Sequence, residues 1–217
     1  MDHIEDPAII LAGGLGLRLR PVVSDAPKAM APVQGKPFLA HLLENLKRQE
    51  VKDVIISVGY KKEFIKNHFG GSYGPVRIRY SEEDTPLGTG GALRKALRMV
   101  KDGAFVLNGD TFFDIDLCAL QSAHRESGAD ITIALTAVTG DRYGVVSVGE
   151  GVFSNGGIYY LHKNIFDGIE VLEPFSFEKD VIEKHKDTLD IRGVVFDGYF
   201  IDIGVPEDYA QAQKKFS

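Results

Sequence analysis

The apolar run Ala8-Ile-Ile-Leu-Ala12 ends abruptly in Gly13-Gly14-Leu15-Gly16, and that junction limits the possible folds more than any other stretch of the chain. Consecutive apolar residues without polar alternation are expected of a strand buried on both faces, the situation of a parallel sheet covered by helices. Gly13, Gly14 and Gly16 carry no Cβ, so backbone N–H groups in the loop can close on phosphate oxygens. Arg18 and Lys28 follow just behind. A glycine loop with two fixed cations suits a nucleoside triphosphate. Two common phosphate loops fit poorly. A dinucleotide fingerprint needs a third glycine where this chain has Leu19, and no Gly-Lys-Ser/Thr follows to make a P-loop. On the glycines alone an ordinary strand-to-helix turn stays open; Arg18, Pro21 and Lys28 weigh against it.

Strand and helix patterns then alternate through the first two-thirds of the chain. Strands are expected at Ala8–Leu11, Asp53–Val58, Val76–Tyr80, Ala104–Leu107 and Asp130–Val138. Helices are expected at Phe38–Gln49, Lys61–Phe69, Thr89–Val100 and Leu117–Ser127, where apolar residues recur at three and four. Such alternation implies an α/β fold with a mostly parallel sheet, and ligands then bind beyond the carboxyl ends of the strands. The 217 residues suit a single domain over 1–217.

A net charge of −6 argues against nucleic-acid binding. The start Met1-Asp-His-Ile-Glu-Asp6 is acidic where a leader would be basic, and no apolar run is long enough for a membrane; a cytoplasmic protein with no membrane partner is expected. Cys118 in Asp116-Leu-Cys-Ala-Leu120 reads as a core residue. His3, His41, His68, His124, His162 and His185 lack metal-ligand spacing.

Two acids stand out. Phe105-Val-Leu-Asn-Gly-Asp-Thr111 ends an apolar strand in Asp110, which suits a magnesium ligand or, more plainly, a turn or helix cap. Asp202, between Ile201 and Ile203 and just before Gly204 and Pro206, is costly to bury unless something neutralises it.

The segment Leu11–Pro37, with Pro27-Lys28, Pro32-Val33 and Lys36-Pro37, resembles the signature of the sugar-phosphate nucleotidyltransferases, enzymes that make nucleotide sugars from nucleoside triphosphates. One departure is Leu17, where the family usually has Thr or Ser. The resemblance implies a Rossmann-like three-layer α/β/α fold with a mixed sheet. It further implies a nucleotide-binding half over about 1–115 and a sugar-phosphate-binding half over about 116–217. Leu11, Ala12, Gly13, Gly14 and Gly16 would bind the nucleotide, Arg18 and Lys28 would be catalytic, and Asp110 and Asp202 would share Mg²⁺. Tyr80-Ser-Glu-Glu-Asp-Thr-Pro-Leu-Gly-Thr-Gly-Gly91 resembles the nucleobase loop, with Gly88 close to the ring and Thr89 as the cap of the next helix. Glu83 stands where thymidylyl relatives carry glutamine. A carboxylate only accepts hydrogen bonds, which suits the two adjacent donors of guanine; alternatively Glu82-Glu83-Asp84 is a solvated acidic run. Arg142-Tyr-Gly144, Asn155-Gly-Gly-Ile-Tyr159 and Phe175-Ser-Phe-Glu-Lys-Asp180 resemble acceptor segments, nominating Gly144, Asn155, Glu178 and Lys179 for the sugar phosphate, and Asn108, just before Gly109-Asp110, is expected beside them. Tyr143 and Tyr159 read as packing residues.

The implied activity is transfer of a nucleoside monophosphate to a sugar 1-phosphate, with GTP and a sugar 1-phosphate as partners. The whole chain is most similar to the branch acting on heptose 1-phosphate. Mannose, glucose or N-acetylmuramic acid 1-phosphate with GTP or UTP remain alternatives, as does a regulatory subunit that binds nucleotide sugar without making it. Monomer and homodimer are both compatible with the sequence. Relatives carry a longer hairpin, with a Glu-Lys pair, where this chain has only Gly149-Glu-Gly-Val-Phe-Ser154. A lid segment missing at this point is the expectation adopted, and it predicts a spatial jump near Gly151–Val152.

Overall fold

The structure, a computed structural model, describes residues 4–14, 19, 26–137, 145–148 and 151–216. In chain order the first strands are β1 (Ala8–Leu11), β2 (Pro32–Val33), β3 (Lys36–Pro37), β4 (Asp53–Val58), β5 (Ser72–Tyr73), β6 (Val76–Glu82) and β7 (Gly103–Asn108). The remainder are β8 (Thr111–Phe113), β9 (Ile131–Thr136), β10 (Val145–Val148), β11 (Gly151–His162), β12 (Ile191–Phe196) and β13 (Phe200–Asp202). Helices are α1 (Phe38–Arg48), α2 (Lys62–Phe69), α3 (Gly88–Leu97), α4 (Leu117–Ser127) and α5 (Pro206–Lys215), with a 3-10 turn at Lys28–Met30 and a π-helical segment at Phe177–Glu183.

The expected buried strand β1 lies in the middle of a nine-stranded sheet ordered β12-β9-β11-β7-β1-β4-β6-β5, with β10 paired to β11. It is parallel to β4 on one side and to β7 on the other, and β6 continues in parallel. Beyond β7 the sheet becomes mixed: β11 runs antiparallel to both β7 and β9, and β12 is parallel to β9.

Because side chains alternate along a strand, the sheet has two packed faces. Ala8, Ile10, Val54 and Ile56 face α1 through Leu39, Leu42, Leu43 and Leu46, and α4 and α5 join the same layer. Ile9, Ile55 and Val106 face Leu93, Ala96 and Leu97 of α3 and Phe177 and Val181 of the π-helical segment. This is the expected three-layer α/β/α arrangement. With helices packed on opposite faces around β1 and β7, the usual ligand position of open α/β sheets is the crevice beyond those strands' carboxyl ends.

Local chemistry fixes the helix ends. Asp116 caps α4 by accepting from Ala119 N–H at 3.1 Å, and Gly128 stops it at φ +66. Cys118 is half-buried and packs against the core, as expected. Among the described residues no helix is long and apolar enough to cross a membrane.

Two expectations fail. Thr89 does not cap α3: the helix starts at Gly88 with Leu87 before it, because the Thr89 hydroxyl is engaged elsewhere. There is also no jump at Gly151–Val152. Val148 pairs with Gly151 and Ser147 with Val152, so the β10–β11 ladder closes with the residues present. Val138, the expected end of β9, lies outside the described residues; the strand ends at Thr136.

Candidate active site

The crevice floor is made where β1 and β7 end together. Gly109 N–H donates to Leu11 O at 3.0 Å, and Ala12 N–H to Ser57 O at 2.9 Å. A Cβ on Gly109 would stand 2.6 Å from Leu11 O and 3.2 Å from Ala12 Cα, both backbone atoms, so only glycine lets the strand ends approach this closely. The Asn108-Gly109-Asp110 turn thereby sets Asp110 beside the glycine loop. Gly14 has open space around it, whereas a Cβ on Gly13 would lie 2.4 Å from Glu83 Oε1. Gly16, Leu17 and Arg18 of the same loop, and Gly144 on the acceptor side, lie outside the described residues.

Asp202 reaches Asp110 through a short ribbon. β13 runs antiparallel to β8 with Asp202 opposite Thr111, and Ile203 N–H donates to Asp110 O at 2.9 Å. Strand alternation settles the burial problem raised by the sequence: Ile201 and Ile203 enter the core, while the Asp202 side chain keeps 28% of its surface exposed. Lys28 supplies the neutralising charge. Its ammonium is ion-paired with Asp110 Oδ2 and stands 4.0 Å from Asp202 Oδ1. Lys28 is the most enclosed of the three, 12% exposed against 32% for Asp110. Thr111 Oγ1 donates to Asp110 Oδ1 at 3.3 Å, and Gly204 N–H donates to Asp202 Oδ1. A Cβ on Gly204 would come within 2.6 Å of Asp202 Oδ1 and 3.1 Å of Lys28 Nζ.

The donor set fits a hard divalent cation. Two partly exposed carboxylates are what magnesium takes from a protein when substrate phosphates complete its shell. Among the described residues no group of three or more His, Cys, Asp or Glu side chains is placed to hold a metal. Phosphate oxygens and water would therefore supply the remaining ligands.

On the other side of the glycine loop, Glu83 follows the end of β6 and is 9% exposed. Leu87 N–H donates to its Oε2 at 3.0 Å and Ser57 Oγ to its Oε1 at 3.4 Å. Burial raises its pKa, while those two hydrogen bonds pull the other way. The solvated-run reading holds for its neighbours only: Glu82 pairs with Lys62 at 3.1 Å and Lys66 at 2.9 Å, and Asp84 with Lys62 at 3.2 Å. Gly88 has φ +73, and a Cβ there would strike Phe175 O at 2.3 Å.

The acceptor side is joined to this loop through Thr89. Its hydroxyl accepts from Phe177 N–H at 2.9 Å and donates to Glu178 Oε2 at 3.1 Å. Ser176 Oγ also donates to Glu178 Oε2, at 3.3 Å, and Tyr159 OH to Glu178 Oε1, at 3.3 Å. Tyr159 in turn accepts from Asn155 Nδ2 at 2.9 Å. Its phenol is fully buried, and burial first, then the Glu178 charge, push its pKa well above the ordinary value. The strand register shifts between Asn155 and Tyr159, a bulge in which Gly157 takes φ +70 and donates its N–H to Asn155 Oδ1 at 2.9 Å. Asn108 joins the group through a side-chain hydrogen bond to the Tyr159 phenol. Lys179 is exposed on the same turn, its N–H bonded to Ser176 Oγ at 3.2 Å.

The structure thus gathers Asn108, Asn155, Glu178 and Thr89 into one hydrogen-bonded group, Lys28, Asp110 and Asp202 into a second, and Gly13 with Glu83 into a third. Sequence reasoning missed Tyr159 as the hub of the first group, Ser57 behind Glu83, and Gly204 beside Lys28. The tyrosine carried a signal in its Asn-x-x-x-Tyr spacing, but the bulge hides which way it points.

The chain is 48% identical over 217 residues to the D-glycero-alpha-D-manno-heptose 1-phosphate guanylyltransferase of Campylobacter jejuni, covering 93% of this chain and 96% of that one. It is 44% identical to the Aneurinibacillus thermoaerophilus protein of the same description, covering 96% and 97%. The structure of HddC from Yersinia pseudotuberculosis complexed with GMP-PN superposes with a TM-score of 0.84 at 35% identity, covering 98% of this chain and 100% of that one. A family model described as nucleotidyl transferase matches residues 7–217, and the chain belongs to that family.

Proposed function

We propose that this protein transfers the guanylyl group of GTP to D-glycero-α-D-manno-heptose 1-phosphate, releasing pyrophosphate, in the cytoplasm. The observation that carries the reading is the Lys28 ammonium set against Asp110 and Asp202 beyond the ends of β1 and β7. The names of the two similar enzymes and the GMP-PN complex of HddC support the choice of guanylyl donor and heptose acceptor. The nucleotide occupies the half over about 1–115 and the sugar phosphate that over about 116–217.

In this reading the reaction is a direct in-line displacement. An oxygen of the sugar phosphate attacks the α-phosphorus of GTP, and the bond to the pyrophosphate oxygen breaks. No covalent enzyme intermediate is needed, so the residues contribute by positioning and by offsetting charge. Two anions must approach each other, and Lys28 lies between them, bridging the attacking phosphate and the α-phosphate. Arg18 neutralises the β- and γ-phosphates as they leave. Gly13, Gly14 and Gly16 present backbone N–H groups to the phosphates, with Leu11 and Ala12 against the nucleoside. Glu83 accepts from the adjacent N1–H and 2-amino donors of guanine, with Gly88 close to the ring. Asn108, Gly144, Asn155 and Glu178 hold the sugar hydroxyls, and Lys179 offers its charge to the phosphate. Asp110 and Asp202 would hold Mg²⁺, which when bound supplies charge stabilisation at the reacting phosphate oxygens.

The test is Mg²⁺-dependent pyrophosphate release from GTP, UTP, dTTP, CTP and ATP, each paired with heptose, mannose and glucose 1-phosphates. The expected signal is confined to GTP with heptose 1-phosphate, and Glu83→Gln lowers the GTP preference about ten-fold, the value of one charged hydrogen bond. Turnover only with another pair refutes the substrate assignment. Unchanged GTP preference in Glu83→Gln refutes the base-recognition argument.

A further inference from the structure

Lys28 sits on a three-residue 3-10 turn, and the chain then enters the ribbon β2–β3, which has only two residue pairs. A ribbon that short does not hold its own position. α1 holds it through a His41 ring nitrogen 3.0 Å from Val33 O, and α5 adds a second set of contacts. The Pro32 carbonyl accepts from Tyr209 OH and from Gln213 Nε2, the latter at 2.6 Å. Gln213 Oε1 accepts from Gln34 N–H at 3.0 Å, and the Gln213 carbonyl accepts from Gln34 Nε2. The glutamine therefore spends donor, acceptor and main-chain oxygen on one small ribbon.

These contacts are largely exposed to solvent. Exposed polar groups can bond to water instead, so desolvation does not force this pairing; its effect is to fix where the ribbon lies. The other end of α5 begins directly after Asp202 and Gly204, with Val205 at its cap. One rigid helix thus connects the carboxylate of the site to the ribbon that follows the site lysine.

We infer that Gln213, assisted by Tyr209, is a positioning residue: through the Pro32 carbonyl it fixes the ribbon that directly follows the Lys28 turn, and through α5 it sets that lysine's separation from Asp202. The catalytic consequence rests on the guanylyl transfer proposed above, whereas the brace itself does not. Misplacing a reacting group by about an ångström can cost up to about a hundred-fold in rate.

The test uses Gln213→Met, which keeps the length and helix propensity of the side chain without its side-chain hydrogen bonds, and Tyr209→Phe, which removes the other donor to the Pro32 carbonyl. First, the rate at which an amine-reactive acylating reagent modifies Lys28 is read by peptide mass spectrometry, with exposed Lys101 as internal reference. Both variants are expected to label Lys28 several-fold faster than the wild type. Second, steady-state kinetics are expected to show kcat lowered about ten-fold with KM for GTP and sugar phosphate within about two-fold, at an unchanged melting temperature. Should Gln213→Met not fold, Tyr209→Phe carries both readouts. Wild-type labelling of Lys28 in the folded variants overturns the brace, whatever the substrate. Faster labelling with wild-type kcat overturns its role in the reaction. A wild-type enzyme silent with every substrate pair overturns the proposed activity, while the labelling result still decides the brace.

Discussion

His124 gives the stability of this protein a pH dependence that can be worked out in advance. The side chain is 1% exposed, on the face of α4 that meets the sheet. Nδ1 is 2.8 Å from Thr132 Oγ1, and Nε2 is buried without a partner. The Tyr160 ring lies 4.7 Å away and the His162 ring 5.1 Å away. Burial, then repulsion from His162 and, more weakly, Arg125, lower the pKa from 6.5 to about 4 against the opposing pull of Asp130. The folded protein thus holds His124 neutral where the unfolded chain protonates it. Between pH 6.5 and about 4 the unfolded state binds more protons, so stability is full above pH 6.5 and declines as pH falls through that window. The interval, at 1.36 kcal/mol per pH unit, sets a ceiling of about 3 kcal/mol. Water entry around the charged ring would reduce it to about 2 kcal/mol, still a large part of a typical total of about 5–15 kcal/mol. Urea unfolding of wild type and His124→Gln at pH 8, 6.5, 5 and 4 isolates the effect, because carboxylate titration is common to both. The wild type should lose about 2–3 kcal/mol more than the variant between pH 8 and 4. Parallel pH profiles would refute the reasoning.

Two further perturbations probe the site itself. Gly109→Ala places a methyl group 2.6 Å from Leu11 O, a backbone atom that can yield only by parting β1 from β7. It should cost about 2 kcal/mol in denaturant unfolding and lower kcat more than the fold loss explains, since Asp110 moves with the turn. Tyr159→Phe removes the donor to Glu178 and leaves Asn155 Nδ2 short of its acceptor. KM for the sugar 1-phosphate should rise about ten-fold with KM for GTP unchanged, and equal rises in both would contradict the assignment.

What the sequence revealed follows from which forces are local. β1, β4 and β7 were legible because strands buried on both faces must be apolar throughout, and Asp110 because a carboxylate after such a strand marks its end. α4 was legible to the residue, since Asp116 and Gly128 bound it chemically. Beyond residue 140 the signals fail for identifiable reasons. β11 is a twelve-residue strand whose alternation is broken by a bulge at Gly156-Gly157. β12 is an edge strand interrupted by Arg192 and Gly193, and Phe177–Glu183 winds as a π-helix with no distinct periodicity. Glu83 looked like one acid among three, because Ser57 and Leu87 become its partners only in three dimensions. Thr89 had the composition of a cap, yet its hydroxyl goes to a segment nearly 90 residues away, at separations of 88 and 89. The sequence around Gly149–Ser154 suggests a missing segment, whereas Val148 and Gly151 are direct partners in the β10–β11 ladder.

The placement of α5 bears on how the protein is made. Gln34 and Gln213 are 179 positions apart, and Asp202 enters the ribbon with β8 only when β13 has been synthesised. At about 5–20 residues per second, the Lys28 segment waits roughly 9–36 s on the ribosome before its brace and its second carboxylate emerge. A nascent chain can assemble β1, β4, β6 and β7 during that interval, and even pair Lys28 with Asp110, but it cannot complete the site. The site is therefore completed late, and an arrested or proteolysed chain lacking Phe200–Lys215 would be without Asp202, the Gln213 contacts and the core side chains Ile201, Ile203 and Ala212.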